Sequence, residues 1–137
     1  MWSQKEIVLR PRTRGIHLIT NEILQELPGL PSVGLMNLFI KHTSAALSVN
    51  ENADPDVRTD MKYILDKLVP DTDPHYVHTM EGPDDASSHT KTSIIGASLT
   101  IPITRGRLNL GTWQGIYLLE FREYKYARHI IVTITGE

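Results

Sequence analysis

Apolar and polar positions along the chain follow two periods, one close to two residues and one close to 3.6, and the change between them marks the elements. Gln4 to Arg10 alternates imperfectly, is rich in β-formers and is closed by Pro11, which predicts a first strand. Gly15 allows a turn, and Ile16 to Ile19 reads as a short strand. Thr20 is placed to N-cap a short helix through Leu27, with Glu22 in its first turn and Pro28-Gly29 ending it. Val33 to Ile40 and Ala45 to Val49 are two apolar strands separated by the polar break His42-Thr43-Ser44. Asp54-Pro55 then supplies an N-cap followed by proline at the first helical position, where a missing N–H costs nothing. Val57, Met61, Ile64, Leu65 and Leu68 follow at helical spacing, so this helix is expected to turn them toward the core.

Pro70 to Ser88 is polar, with several prolines, histidines and acids, and reads as a long loop of the kind that is usually functional when ordered. Thr92 to Ala97 is a short apolar piece, and Leu99 to Ile103 is a strand before the turn at Arg105-Gly106. Arg107 to Leu110, Trp113 to Phe121 and Ala127 to Ile134 supply the last strands. Many strands and about one long helix predict an α+β fold. At 137 residues the chain fits one domain, residues 1–137. Long edge strands in a domain of this kind are often covered by oligomerisation, so a homo-oligomer is expected.

Composition narrows the chemistry. The chain has no cysteine, which excludes disulfides, thiolate nucleophiles and Cys-based metal sites, so any metal must be held by His, Asp, Glu or backbone oxygen. A net charge of −2 with scattered Lys and Arg argues against a nucleic-acid partner. No segment approaches the length of apolar sequence that spans a bilayer, and the N-terminal residues carry no apolar stretch of signal-peptide length. The expectation is a cytoplasmic protein without a membrane partner.

Polar groups concentrate in three segments: His42-Thr43-Ser44, Asn50 to Asp54, and His75 to His89. The first two lie at opposite ends of one predicted strand, roughly 17 Å apart for five residues. They meet at one ligand only if the chain bends sharply at Ala45 or if a neighbouring subunit completes the site. His78 and His89, with Asp84 and Asp85 between them, are the best candidate metal ligands, since imidazole and carboxylate together suit zinc, magnesium or manganese. His42 has the chemistry of a general base, a ligand or a phosphate donor, and equally of an ordinary strand-end histidine. Asp54 and Glu51 can act in a site or simply build the helix start. In Gly111-Thr112-Trp113-Gln114-Gly115 the glycines allow close approach, and Trp113 and Gln114 offer a ring face and an amide to a flat heterocycle; a core tryptophan at a strand start is the alternative.

The order His42-Thr43-Ser44-Ala45, Asn50-Glu51, Asp54, His78, His89, Gly96, Ile101-Pro102, Gly106-Arg107-Leu108 and Gly111-Thr112-Trp113-Gln114 resembles the YjbQ-like family over nearly the whole chain. The resemblance implies a trimeric α+β protein of compact, antiparallel, β-sandwich-like sheets with one long and one or two short helices, and a pocket in which His42, His78 and His89 cluster on a divalent metal ion (Zn, Mg or Mn), with Glu51 and Asp54 nearby. It also implies a secondary thiamine-phosphate synthase activity, the condensation of a pyrimidine methyl diphosphate with a thiazole phosphate. On that reading His42, Thr43, Ser44, Glu51 and Asp54 are catalytic, and Asn50, Asp84, Arg107, Trp113 and Gln114 face a small phosphorylated heterocycle. Two alternatives stand beside it: a metal-dependent phosphoester hydrolase, which uses the same ligands to activate water, and a non-catalytic trimer that binds a small ligand and needs no metal.

Overall fold

The computed structural model describes all 137 residues and contains eight strands and three helices. In chain order these are β1 (Trp2–Val8), β2 (Gly15–Leu18), α1 (Thr20–Gln25), β3 (Val33–Ile40), β4 (Ala45–Glu51), α2 (Pro55–Leu68), α3 (Asp85–Ile95), β5 (Ser98–Thr104), β6 (Arg107–Leu108), β7 (Gln114–Glu120) and β8 (His129–Gly136). They build a five-stranded sheet ordered β1-β8-β3-β5-β6 and a three-stranded sheet ordered β2-β7-β4. Every ladder is antiparallel. No helix is long and apolar enough to cross a membrane.

Strand alternation explains the layering. In β3, Met36, Leu38 and Ile40 are buried, while Val33, Leu35 and Phe39 point outward. Their inward neighbours on β8 are Ile130, Val132 and Ile134. These residues join Ala45 and Leu47 of β4 and Ile116 and Leu118 of β7 in one cluster between the sheets. Each fully buried aliphatic side chain there contributes about 1.5–3 kcal/mol relative to exposure. The small sheet is apolar on its other face too, where Ile16, Ala46, Tyr117, Leu119 and Phe121 meet Met61, Leu65 and Ile95 from α2 and α3. It is therefore the middle layer, which is why β7 reads as an unbroken apolar run. Gly34 and Gly136 face each other across β3 and β8, and a Cβ on either would land 2.2 Å from a backbone oxygen, so this crossing needs glycine.

Several expectations change. The strand that follows β3 in the chain, β4, leaves for the other sheet and pairs with β7 from Ala45↔Glu120 to Glu51↔Gln114, so its two polar ends stay a strand length apart within one chain. Ile19, not Thr20, holds the N-cap position of α1, and the Thr20 Oγ1 instead accepts the Ile116 N–H at 2.9 Å, tying the helix to β7. α2 starts as expected, with the Asp54 side chain accepting the Asp56 N–H at 2.9 Å. Its apolar stripe is only half used: Met61 and Leu65 pack on the small sheet, but Ile64 and Leu68 are 58% and 66% exposed. The largest departure is α3, which occupies the end of the expected loop and the short apolar piece after it. Its inward face is Asp85, Ser87, Ser88, Lys91 and Thr92, so it has no apolar period to read.

Ions and hydroxyls replace that missing stripe. Lys91 is fully buried and its Nζ lies 2.6 Å from Asp66 on α2, which also receives Lys62 and Arg14 at 2.8 Å each. The Ser87 hydroxyl donates to Asp71 at 2.6 Å, and the Ser88 hydroxyl to the Phe121 carbonyl at 3.0 Å. Burial works against the Asp66 charge, but Lys62, Lys91 and Arg14 outweigh it and hold the carboxyl far below its ordinary range.

Candidate metal centre

The start of α3 lies beside the start of β4 and the end of β7, and three titratable side chains converge there. Asp85 is the first residue of α3, and His89 follows four residues on, one helical turn along the same face. His78 comes back over them from the 70–84 segment. The Asp85 Oδ2 lies 2.6 Å from His78 Nε2 and 2.9 Å from His89 Nε2, and the imidazole centroids are 5.5 Å apart. The Asp85 side chain is 6% exposed, while those of His78 and His89 are 50% and 41% exposed. The site thus has a buried carboxylate floor and an open imidazole rim.

Proton bookkeeping shows what this arrangement asks for. The His89 Nδ1 lies 2.8 Å from the Thr43 carbonyl, which can only accept, so Nδ1 carries hydrogen. In neutral His89 the Nε2 is then a bare lone pair facing a carboxylate oxygen. Two lone pairs at that distance repel unless a cation lies between them, either a proton that makes His89 an imidazolium or a metal ion. The carbonyl bond on the far nitrogen is also the usual way a ligating histidine is oriented. The three ligand atoms lie within 4.8 Å of one another. Ligand atoms around a common zinc-sized ion stand roughly 3–3.5 Å apart, so a sub-ångström opening admits one.

The second Asp85 oxygen, Oδ1, accepts from an Arg122 terminal nitrogen. Burial opposes the Asp85 charge, but His78, His89 and Arg122 prevail and hold the carboxyl below its ordinary value. Asp84 sits beside it and accepts Arg122 Nε at 3.0 Å and the Glu123 N–H at 2.8 Å, so its carboxylate is engaged at this junction.

The other expected site residues separate into two groups. His42, Thr43 and Ser44 lie near the cluster but outside it. The His42 Nε2 accepts the His129 N–H at 2.8 Å, and its ring packs on His129 with centroids 6.0 Å apart. Burial, with Arg128, His129 and Lys41 nearby, pushes the His42 pKa down, consistent with an acceptor nitrogen. It is not one of the three clustered ligands. The Ser44 Oγ accepts from Arg128 at 3.0 Å, and Arg128 makes a buried pair with Glu120, Nε to Oε2 2.6 Å. This pair and the His129 amide fix the 42–44 segment so that the Thr43 carbonyl points at His89.

Asn50, Glu51, Asp54, Trp113 and Gln114 lie at the opposite end of the β4–β7 ladder, about 20 Å away at a strand rise of ~3.3 Å per residue. There Glu51 accepts the Ala53 and Asp54 N–H groups at 3.2 and 3.1 Å, Asn50 accepts the Glu51 N–H at 2.8 Å, and Gln114 accepts that of Gly111 at 2.8 Å. Trp113 is 64% exposed in the turn before β7, so it is not a core residue. Arg107 pairs with Thr104, which also pairs with Val33 at the start of β3, a strand length from the His42 end.

Sequence reasoning passed over Arg122, Glu120 and Arg128. Their signal existed only in three dimensions, apart from the Asp85–His89 spacing of four, which becomes informative once that segment is known to be helical.

The family model described as UPF0047 protein YjbQ-like matches residues 5–137. The chain belongs to the YjbQ-like UPF0047 family. Among its relatives, the UPF0047 protein YjbQ of Salmonella typhimurium is 52% identical over the full length of both chains. That of Escherichia coli O157:H7 is 48% identical, again over the full length of both. A conserved hypothetical protein from Thermus thermophilus has a similar structure, with a TM-score of 0.82 at 32% identity, covering 93% of this chain and 97% of that one. A protein of unknown function from Sulfolobus solfataricus P2, described as YbjQ-like, shares the fold with a TM-score of 0.84 at 24% identity, over 100% of this chain and 99% of that one. The YjbQ-like fold therefore carries the His78–Asp85–His89 cluster of this chain on α3 and the segment before it.

Proposed function

We propose that this chain is a divalent-metal-dependent enzyme whose metal is held by His78, Asp85 and His89 and whose reaction is the hydrolysis of a phosphoester. The observation that carries this reading is the His89 ring, whose Nδ1–H is fixed on the Thr43 carbonyl while Nε2 faces the Asp85 carboxylate. Two imidazoles in the donor set favour zinc over manganese and magnesium, which suit oxygen donors. A divalent ion there supplies Lewis acidity toward a phosphoryl oxygen and acidifies water.

The protein's own groups do the rest. Asp85 offsets part of the cation's charge, and the half-exposed faces of His78 and His89 leave the approach open. A cavity of about 280 Å³ beside His78, lined by Asp71, Thr72, Asp73, Tyr76 and Thr79, has room for a small substrate. Arg122 is the permanent cation in contact with Asp85, and it directs its donors inward to Asp84, Asp85 and the Glu81 carbonyl. With that arginine engaged and carboxylates on the cavity wall, a substrate carrying one negative charge fits better than a diphosphate.

A second reading, thiamine-phosphate synthesis, is supported by the exposed Trp113 ring, which is available to stack on a heterocycle. It requires that Trp113 and Arg107 reach the cluster from another copy of the chain. The outward apolar residues Val33, Leu35 and Phe39 of β3 are a surface on which copies, a trimer for instance, could assemble.

The deciding experiment is elemental analysis of protein purified without chelator, beside a His78→Ala/His89→Ala variant of verified fold, followed by turnover assays. One assay uses an aryl phosphodiester and the other the pyrimidine diphosphate and thiazole phosphate pair. The expected result is about one metal per chain, lost in the variant together with diester hydrolysis. Metal-free protein in both samples would end the metal reading, and condensation without hydrolysis would select the synthase.

A further inference from the structure

Arg122 lies two residues past the end of β7 and its side chain is 12% exposed. Its guanidinium is used on three sides: Nε donates to Asp84 Oδ2 at 3.0 Å, one terminal nitrogen to Asp85 Oδ1, and the other to the Glu81 carbonyl at 3.1 Å. All three acceptors belong to residues 81–85, the junction between the His78 segment and α3. The Glu123 N–H adds a fourth bond to the same Asp84 oxygen at 2.8 Å. Tyr126 lies over the guanidinium, 5.9 Å from its ring centroid, and over that of Arg128 at 5.0 Å.

This geometry gives the two Asp85 oxygens different roles. Oδ2 faces both imidazoles, whereas Oδ1 is taken by Arg122. A free carboxylate can bind a metal through one oxygen or through both. One whose second oxygen is hydrogen-bonded to a planar, permanently charged donor is held to one. We propose that Arg122 is a positioning residue that keeps Asp85 a single-oxygen ligand, leaving the remaining coordination positions to water and substrate, and sets the His78 segment against α3. The inference rests on the metal reading of this site. Lysine would not replace it, because an ammonium lacks the fork that bonds Asp84, Asp85 and the Glu81 carbonyl together.

The test is a cobalt(II) titration of the full-length protein and of its Arg122→Gln and Arg122→Lys variants, followed by the visible absorption of the bound ion, with circular dichroism to verify the fold. Arg122→Lys keeps the charge and is the milder change should Arg122→Gln unfold. Wild type is expected to bind one cobalt per chain with the intense visible band of low coordination number. Both variants are expected to bind about 10–100-fold more weakly, as for lost partners of metal ligands, and with a weaker band as Asp85 turns to bind through both oxygens. Variants with wild-type affinity and spectrum would overturn the role of Arg122 while leaving the metal site standing. Wild type that binds no cobalt would overturn both.

Discussion

The two ends of the β4–β7 ladder are equally rich in polar residues and use them in opposite ways. At the Ala45–Glu120 end, side chains from four separate segments bond to one another: His78, Asp85 and His89, then Arg122 with Asp84, then Glu120, Arg128 and Ser44. At the Glu51–Gln114 end, the side chains bond to nearby backbone: Asn50 and Glu51 in the turn, Asp54 at the helix start, Gln114 on Gly111. Side chains bonded across segments concentrate charge at a point and fix it, which is what a site requires. Side chains bonded to their own turn stabilise that turn and leave little behind except an exposed Trp113. Carboxylates alone do not separate the two, because both ends carry them; the imidazoles and arginines belong to the first.

The contrast predicts graded effects. Glu120→Gln removes the charge opposite Arg128, both of which are almost fully buried, and leaves that arginine uncompensated; the expected loss is about 3–5 kcal/mol in urea unfolding. An effect below about 1 kcal/mol, the range of an exposed pair, would mean that the first end is no more dependent on its ions than the second.

Acid should affect the same end next. Asp66 has a carboxyl held well below its ordinary 3.8, so the stability it gives is complete above that value and is lost as pH falls toward the folded pKa. Wild type is therefore expected to lose stability progressively below about pH 4. Asp66→Asn, less stable at neutral pH, should show a flatter profile in thermal melts from about pH 4 down to about pH 2. Parallel profiles would remove Asp66 from the account.

At the other end, Asp54→Ala should cost about 1 kcal/mol, the ordinary value of an N-cap, and leave metal content unchanged. A fall in metal content would connect the two ends and argue for a site shared between copies. Trp113→Ala should shift stability by no more than about 0.5 kcal/mol, as its ring is mostly exposed. A larger loss, if it grew on dilution, would place Trp113 in an interface.

Much of this molecule was legible in its sequence. Apolar, β-forming runs found β3, β4, β5, β7 and β8, alternating on β8 and unbroken on β7, and Asp54-Pro55 found the start of α2, because each of those signals is local: a stretch of buried strand positions, a cap bonding the next turn. The composition of the 75–89 segment marked the region of the candidate site, and His78 and His89 do converge there, on Asp85. α3 was not legible, since its inward face is Ser87, Ser88 and Lys91, and burial there is made possible by Asp66, Asp71 and the Phe121 carbonyl from elsewhere in the chain. The exposure of Ile64 and Leu68 was hidden for the converse reason: a helical period marks an apolar face but not what lies opposite it.

The sequence by itself determined the elements with one-sided apolar periods, the absence of thiolate chemistry and the set of groups able to hold a metal. Only the tertiary structure decided which of them meet. Strand β4 leaves β3 for the other sheet, and a single turn of α3 brings Asp85 and His89 under His78, while His42 remains a hydrogen-bond acceptor for a neighbouring amide. The reason is range: periods and caps act over a few residues, whereas a ligand set depends on distances between segments far apart in the chain, which only packing fixes.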